Sequence, residues 1–479
     1  MKILMAASEM APFVKVGGLA DVVGSLPMAL AAKGHDVCVI MPLYRVIPEE
    51  YKQHMTTECV FEVQMGWRRQ YCGLLSMEWK GIKVYFVDNQ FYFGWDRVYG
   101  YMEEEAERFS FFDRAVLEAL QRIDYYPDIL HCHDWQAGMI PVLLRTQYAW
   151  GEYSRIKTVM TIHNLKYQGV FDRQRICDLL GLQAGLVTDD KLEFYGAVSF
   201  LKGGIVYAHK VTTVSPTYAQ ETRDPYFGER LDGMLRSRGE DYTGILNGID
   251  VEEWNPGNDK LIPYQFTEDQ LRNKALNKRT LQEEQWLTVD PTAPLLGMVT
   301  RLVAQKGLDL LRHVLFELLT RQPTLQMVVL GTGDYEYEDF FRNINANFPG
   351  RVSAILYFSN ELAHRIYAAS DMFLVPSAFE PCGLTQMIAL RYGSLPIVRE
   401  TGGLKDTVVS YCDDTQEGNG FSFATYNAHD MMFTIERAVG IYGNKRAWNK
   451  IVRTAMKEDH SWTVSAGDYV ALYEDAMTK

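Results

Sequence analysis

Short apolar runs alternate with longer amphipathic segments along the chain, and this alternation constrains the fold more than any other feature of the sequence. Runs such as residues 2–7 and 83–87 are followed by segments with helical spacing, which predict helices over residues 19–33 and 104–122. This is the pattern of repeated βαβ units, in which helices cover a buried parallel sheet. The sequence therefore predicts an α/β fold.

The alternation is interrupted once, and the interruption predicts two domains. After Asn247-Gly-Ile-Asp250 comes a polar stretch, and apolar runs resume at Pro294, so we place a hinge near residues 245–260. Two Rossmann-like, doubly wound domains facing a cleft are expected, with strand-to-helix loops as the walls of the cleft. The predicted strands span residues 2–7, 36–41, 83–87, 128–131, 157–162, 210–214, 294–299, 325–330, 351–356, 371–375 and 395–398.

Charge and cysteine usage exclude several classes of protein. The net charge of -13 argues against a sequence-independent nucleic-acid binder, which needs surplus Lys and Arg. Seven cysteines without a CxxC pair indicate a reducing compartment and neither a disulfide framework nor a zinc site. No secretory signal and no apolar stretch of about 18 residues is present, so we expect a cytoplasmic protein without a membrane partner.

A Gly-Gly pair occurs once in each half of the chain. The first, Gly17-Gly18, is followed by Leu-Ala-Asp21, and the second, Gly402-Gly403, by Leu-Lys-Asp. Glycine lets backbone approach a ligand closely, and N–H groups at the start of a helix attract anions. Each copy is either an anion-binding turn or an ordinary tight turn. Neither fits G-x-G-x-x-G, which disfavours a dinucleotide cofactor.

Three cationic side chains lie close to these turns and to predicted strand ends. Lys15 precedes the first Gly-Gly pair by two residues, where an ammonium can reach a bound phosphate. Arg301 and Lys306 follow the apolar run that starts at Pro294, at a position where two cations can clamp a pyrophosphate leaving group. The alternative in each case is an ordinary surface charge.

Glu380-Pro-Cys-Gly-Leu-Thr385 follows another predicted strand and leads into a predicted helix. The carboxylate of Glu380 can accept sugar hydroxyls, while the backbone N–H groups of Gly383, Leu384 and Thr385 can hold phosphate oxygens. Alternatively, Glu380 is a helix cap that complements the dipole, and Cys382 is a small buried filler.

A cluster of histidines ends two strands of the first half. His131-Cys-His133-Asp134 suggests a metal site, but alternate side chains of a strand point to opposite faces, which disfavours three convergent ligands. His163 ends the next strand, where it is either a hydrogen-bonded loop residue or well placed to contact a ligand.

Together these motifs resemble the family of bacterial glycogen synthases and plant starch synthases. The resemblance runs in order along nearly the whole chain. It is carried by the segments that begin at Lys15, His133, Thr161, Asn247, Arg301, Glu380 and Thr401.

The resemblance implies the two-domain glycosyltransferase fold of type B. Residues 1–250 would be the acceptor-side domain, residues 251–458 the nucleotide-sugar-binding domain, and residues 459–479 a helix that crosses back to the first domain. It also implies a retaining transfer of glucose from ADP-glucose to the non-reducing end of an α-1,4-glucan, with no cofactor or metal. Bacterial members mostly use ADP-glucose and a few accept UDP-glucose, so both donors stay open.

Roles for individual residues follow from the same resemblance. His163, Arg301, Lys306 and Glu380 are expected to act in catalysis. The expected donor-binding residues are Lys15, Gly17, Gly18, Asp21, Arg301, Lys306, Tyr357, Glu380, Cys382, Gly383, Leu384 and Thr385. The expected acceptor-side residues are Glu9, Asp134, Trp135, Asn164 and Asn247. The alternatives are a transferase with a small acceptor and a catalytically silent glucan-binding regulator.

Overall fold

The computed structural model describes the whole chain, Met1–Lys479, as two compact units. The first unit comprises Met1–Gly248 and Trp462–Lys479, and the second comprises Ile249–Ser461. Each unit is built on its own large sheet. No helix in the chain combines the length and the apolar character needed to cross a membrane.

The first unit contains twelve strands. They are β1 (Lys2–Ala6), β2 (Asp36–Pro42), β3 (Thr56–Met65), β4 (Arg68–Trp79), β5 (Ile82–Asp88), β6 (Ile129–His133), β7 (Lys157–Ile162), β8 (Val170–Phe171), β9 (Glu193–Phe194), β10 (Ala197–Ser199), β11 (Lys210–Thr213) and β12 (Tyr242–Gly244). Nine of them form one sheet in the order β12-β11-β7-β6-β1-β2-β5-β4-β3, and β8-β10-β9 form a small second sheet. In the large sheet β4 runs antiparallel to both of its neighbours, β3 and β5, and the other neighbours pair in parallel.

Ten helices connect these strands. They are α1 (Gly18–Val23), α2 (Leu26–Ala32), α3 (Glu49–Lys52), α4 (Gln90–Phe93), α5 (Glu104–Arg122), α6 (Met139–Thr146), α7 (Arg173–Leu180), α8 (Phe200–Tyr207), α9 (Pro216–Glu221) and α10 (Asp232–Ser237). The helix predicted over residues 104–122 is confirmed. The single helix predicted over residues 19–33 is wrong, because the chain breaks at Gly24 and restarts with Pro27 in the first turn of α2. A Cβ at Gly24 would lie 2.9 Å from the carbonyl oxygen of Ala11, so the break is also a point of close backbone packing.

The second unit holds a six-stranded parallel sheet in the order β15-β14-β13-β16-β17-β18. Its strands are β13 (Leu295–Val299), β14 (Gln326–Leu330), β15 (Val352–Ile355), β16 (Met372–Val375), β17 (Leu395–Arg399) and β18 (Phe421–Phe423). Its helices are α11 (Leu271–Glu284), α12 (Leu308–Arg321), α13 (Tyr335–Asn347), α14 (Asn360–Ala369), α15 (Thr385–Arg391), α16 (Gly402–Thr407), α17 (Ala428–Tyr442) and α18 (Lys445–Lys457).

The last helix, α19 (Trp462–Met477), belongs to the first unit. Two of its tyrosines, Tyr469 and Tyr473, are fully buried, and the Tyr473 hydroxyl lies 2.8 Å from Nδ1 of His131 in the middle of β6. Asp475 pairs with the buried ammonium of Lys210 in β11. These contacts fix the C-terminal helix against β6, which carries His131 and His133, and against β11.

Candidate functional site

The loop after β1 carries Lys15 and the first Gly-Gly pair. Lys15 is exposed, and its Nζ lies 2.6 Å from Oδ1 of Asp21. Gly17 and Gly18 are also exposed, and a Cβ at either position would meet no atom within 4 Å. Internal packing therefore does not require these glycines, and their backbone is open to an approaching ligand.

A buried carboxylate holds this loop from the inside. Oε2 of Glu9 accepts the backbone N–H groups of Val16 at 2.6 Å and of Gly17 at 3.0 Å. Oε1 of Glu9 accepts the hydroxyl of Tyr99 at 2.7 Å. The N–H of Gly17 is thus used within the protein, whereas that of Gly18 makes no hydrogen bond in the chain.

The second Gly-Gly pair is packed quite differently from the first. Gly402 and Gly403 are buried, and Gly402 has a φ of +45°. A Cβ at Gly402 would lie 1.9 Å from the carbonyl oxygen of Glu380, and one at Gly403 would lie 2.0 Å from that of Cys382. These glycines therefore let α16 pack against the backbone of the Glu380 loop. Close packing requires glycine in the second Gly-Gly pair but not in the first, although the two sequences look alike.

An ion pair joins two strand-end loops of the second unit. Lys306 Nζ lies 2.7 Å from Oε2 of Glu380, and the hydroxyl of Ser377 donates to the same oxygen at 2.8 Å. Gly307, with a φ of +71°, brings the Lys306 turn within contact of Pro376, where a Cβ would lie 2.0 Å from the carbonyl oxygen. Oε1 of Glu380 has no hydrogen bond in the chain and can accept one from a ligand.

Other expected donor residues of the second unit are open rather than paired. Arg301 is exposed and forms neither a hydrogen bond nor an ion pair through its side chain. The backbone N–H groups of Gly383, Leu384 and Thr385 donate no hydrogen bond within the chain, as is usual before and at the start of a helix. Tyr357 follows β15 and is 60% exposed, which leaves its ring face available for stacking. Cys382, by contrast, is buried.

The histidines at the ends of β6 and β7 form a chain of contacts. His133 Nδ1 lies 3.0 Å from Nε2 of His163, and the rings of His131 and His133 pack with centroids 4.1 Å apart. Burial lowers the pKa of His131 and of His163 to about 3, and it holds the pKa of His133 well below its usual range. All three imidazoles are therefore neutral near pH 7.

Asp134 shapes the turn that follows β6. It has a φ of +56°, which is unusual for a residue with a side chain and is typical of functional sites. Its Oδ1 accepts the backbone N–H of His163 at 2.7 Å, so it fixes the end of β7 relative to β6. Burial raises the pKa of Asp134 to about 7, although backbone hydrogen bonds from His163 and Asn164 oppose the rise.

The remaining residues expected on the acceptor side are placed in three different ways. Trp135 is buried among Phe109, Phe171 and Phe200, and a Cβ at Gly169 would strike its ring. The side chain of Asn164 accepts the backbone N–H of Lys166 at 3.1 Å, which stabilises the local turn. Oδ1 of Asn247 is buried and has no hydrogen-bond partner in the chain. Among these three residues, Asn247 is therefore the one whose side-chain oxygen has no structural role in the chain.

The structure brings some of the expected residues into direct contact and leaves others apart. Lys15 forms an ion pair with Asp21, and Lys306 forms one with Glu380. The backbone N–H of His163 donates to the side chain of Asp134. The motifs in the sequence did not indicate Tyr99, Ser377 or the bond between His133 and His163. Ser377 stands three residues before Glu380, so its proximity was a usable signal, whereas Tyr99 reaches Glu9 across 90 residues with no local pattern. No group of three or more His, Cys, Asp or Glu side chains is arranged to hold a metal ion.

Two doubly wound units, with cations and a carboxylate on the strand-end loops and no dinucleotide fingerprint, define a glycosyltransferase of the type B fold. Residues 2–237 match the starch synthase catalytic domain family, and residues 281–453 match the glycosyl transferases group 1 family. The chain is 50% identical over 478 residues to the glycogen synthase of Anoxybacillus flavithermus and 51% identical over 478 residues to that of Desulforamulus reducens. These alignments cover 100% of this chain and 98% and 99% of the two relatives, respectively.

Solved structures agree with the sequence relatives. The catalytic domain of starch synthase IV from Arabidopsis thaliana, bound to ADP and acarbose, superposes with a TM-score of 0.92 at 37% identity, covering 100% of this chain and 99% of that one. Sucrose-phosphate synthase from Thermosynechococcus elongatus shares the fold, with a TM-score of 0.62 at 19% identity over 99% of both chains. The chain belongs to the family of bacterial glycogen synthases and plant starch synthases, and it is a retaining glucosyltransferase.

Proposed function

We propose that this chain transfers glucose from ADP-glucose to the 4-hydroxyl at the non-reducing end of an α-1,4-glucan, in the cytoplasm and without a cofactor. ADP as donor nucleotide is supported by the starch synthase IV structure, which contains ADP. Glucan as acceptor is supported by the glycogen synthases that match the full chain. The net charge of -13 supports the absence of a nucleic-acid partner.

The Lys306–Glu380 pair is the observation that carries this proposal. Lys306 and Ser377 both bind Oε2 of Glu380, which leaves Oε1 without a hydrogen bond in the chain. In the proposed complex Oε1 accepts hydroxyl groups of the donor glucose. The Lys306 ammonium then lies beside that sugar and stabilises the negative charge that develops on the departing diphosphate.

Further positive charge and backbone donors serve the same leaving group. Arg301 has an unengaged guanidinium, whose planar fork suits phosphate oxygens. Lys15 adds a point charge from an exposed loop whose glycines, Gly17 and Gly18, leave room for a ligand. Asp21 holds Lys15 in place until the donor binds. The N–H groups of residues 383–385 bind phosphate oxygens, Cys382 supports them from the protein side, and Tyr357 stacks on the base.

The first unit adds a further contact to the transferred glucose and supplies the contacts to the acceptor. His163 is neutral, so it hydrogen-bonds the sugar without placing a positive charge next to the forming oxocarbenium ion. Asp134 and Asn164 fix the backbone that carries His163, and Asn247 offers a free buried oxygen to a hydroxyl group. Glu9 contributes indirectly, by holding the loop that carries Lys15. Trp135 is buried among aromatic side chains and supports the acceptor side by packing.

Retention of configuration proceeds by the same-face route in this proposal. A covalent intermediate needs an ionised carboxylate nucleophile near the anomeric carbon. Asp134 is the carboxyl group next to His163, and it accepts backbone N–H groups while its pKa is raised to about 7. Because the backbone N–H groups of His163 and Asn164 occupy this carboxyl group, it is a poor nucleophile, and the departing diphosphate is the base that takes the proton of the acceptor hydroxyl.

Incorporation of labelled glucose into glycogen tests the proposal. The purified chain is assayed in EDTA with ADP-glucose or UDP-glucose, and with glycogen or a small acceptor such as glucose. We expect glycogen-dependent incorporation that is fastest with ADP-glucose, and new linkages with the α configuration by proton NMR. Preference for UDP-glucose, activity restricted to the small acceptor, or glycogen binding without turnover would each overturn it. The Lys306→Ala variant provides the matched blank.

A further inference from the structure

Three imidazole rings lie side by side at the carboxyl ends of β6 and β7. The ring centroids of His131 and His133 are 4.1 Å apart, and those of His133 and His163 are 5.3 Å apart. His131 is itself fixed at both nitrogens, by the Tyr473 hydroxyl at 2.8 Å and by the Thr161 hydroxyl at 2.6 Å. His133 is therefore held between a rigid neighbour and the ring proposed to contact glucose.

His133 is the only hydrogen-bond partner of the His163 ring. Its Nδ1 lies 3.0 Å from Nε2 of His163. Nδ1 of His163 makes no hydrogen bond within the chain and is absent from the buried unpartnered atoms. The bond to His133 thus decides that Nε2 of His163 faces the protein and that Nδ1 is the nitrogen left for a ligand.

The hydrogen bond between His133 and His163 allows two arrangements of the ring protons. Both rings are neutral because burial lowers the pKa of each, so each carries one N–H. If His163 donates from Nε2, then His133 must carry its own N–H on Nε2, which is fully buried and has no partner. If His133 donates from Nδ1, the unpartnered buried atom is only a lone pair. Buried N–H groups without partners are rarer in proteins than buried acceptors without partners.

We infer that His133 is a positioning residue that donates from Nδ1 to Nε2 of His163 and thereby holds His163 in its Nδ1–H tautomer. In this tautomer His163 presents an N–H donor to a hydroxyl oxygen of the transferred glucose. The functional part of this inference rests on the proposed contact between His163 and that glucose. The bond to His133 also sets the orientation of the His163 ring, while Asp134 sets its backbone.

Nitrogen NMR on the full-length chain tests the tautomer directly. Long-range proton–nitrogen correlations of protein labelled with 15N-histidine distinguish the two tautomers of each ring, and His163→Gln assigns the His163 signals. We expect the Nδ1–H pattern for His163 in the wild type. We expect the same pattern in His133→Gln, because the amide still donates, and a mixture of tautomers in His133→Phe, which has no donor. An Nε2–H pattern in the wild type, or an unchanged pattern in His133→Phe, would overturn the inference.

Kinetics separate the positioning role from the proposed function. We expect His133→Phe to lower kcat about tenfold or more with a smaller change in the donor KM, and His133→Gln to restore most of it, which corresponds to one misplaced hydrogen bond. His54→Phe, at an exposed position of the same unit, is the matched control. If the tautomer is as inferred but His163→Ala, which has no hydrogen-bond donor, turns over donor normally, the proposed sugar contact fails while the tautomer stands. If His133→Phe does not fold, the wild type and His133→Gln spectra still decide the question.

Discussion

The backbone N–H of Gly17 donates to the buried carboxylate of Glu9 at 3.0 Å. The same oxygen accepts the N–H of Val16, so a single carboxylate shapes the loop that carries Lys15. An internal anion therefore already neutralises part of the backbone dipole at this turn. The groups of this loop that remain for the proposed donor phosphate are the Lys15 ammonium and the free N–H of Gly18.

Glu9→Gln is expected to loosen this loop without unfolding the chain. An amide oxygen still accepts, but charge-assisted hydrogen bonds are stronger than neutral ones by roughly 1 kcal/mol, which corresponds to about a fivefold change in local opening. Hydrogen exchange at Val16 and Gly17 should therefore be about fivefold faster, and the donor KM should rise. Glu50→Gln, an exposed glutamate of the same unit, is the control. Unchanged exchange at both amides would contradict the role of the Glu9 carboxylate.

Lys15→Ala is expected to raise the donor KM about tenfold and to change kcat less. Its ammonium is exposed and is paired only with Asp21, so its removal leaves no buried charge behind. A charge contact to phosphate contributes about 1.5–3 kcal/mol. The measurement is initial rate against ADP-glucose concentration, with Lys33→Ala as the matched exposed lysine. A donor KM equal to that of the control would mean that Lys15 is only a surface charge.

Lys306→Ala is expected to lower kcat by about 10²–10³, as the loss of one donor to a developing negative charge does in other enzymes. The fold should survive, because the Lys306–Glu380 pair lies on the loops that follow β13 and β16, with both side chains partly accessible. Single-turnover rates measure the effect, and circular dichroism checks the fold. Lys405→Ala, an exposed lysine of the same unit, is the control. Near-normal turnover of Lys306→Ala would mean that Lys306 does not stabilise the departing diphosphate.

Buried parallel strands were predictable because both of their faces are covered, so each appears as a continuous apolar run. β1, β7, β13 and β14 agree with the predicted segments within one residue. The hairpin of β3 and β4 was missed, since polar residues such as Glu62 and Gln64 alternate with buried ones at the edge of the sheet.

The candidate site was predictable where a residue directly follows a strand, as Lys306 and Glu380 nearly do. The role of a residue was not predictable where it depends on contacts with segments that are distant in the sequence. The Gly-Gly pairs look alike in sequence, yet only the second is enforced by a neighbouring backbone, that of Glu380 and Cys382. Similarly, nothing local marks His133 as the partner of His163, because their bond joins two strands.

The two Gly-Gly pairs should respond differently to alanine. Gly403→Ala places a Cβ 2.0 Å from the carbonyl oxygen of Cys382, so we expect a lower Tm, displacement of Glu380 and loss of activity. Gly18→Ala meets open space, so we expect an unchanged Tm and an increase in the donor KM only. Thermal melts and donor kinetics of both variants provide the comparison, and each is the other's control. Equal Tm losses would contradict the packing difference.

Asp134→Asn isolates the contribution of a buried carboxyl group to stability. Burial raises the pKa of Asp134 to about 7, whereas an unfolded aspartate titrates near about 3.9, so folding favours the protonated form. The stability that this group contributes is fully present below about pH 4 and is lost as the pH rises through about 7. Asparagine cannot ionise and still offers an oxygen to the N–H of His163. The Tm of the variant relative to the wild type should therefore be higher at about pH 8 than at about pH 5. Asp413→Asn, at an exposed position, should show no such trend, and a pH-independent difference for Asp134→Asn would mean that this carboxyl group is ionised throughout.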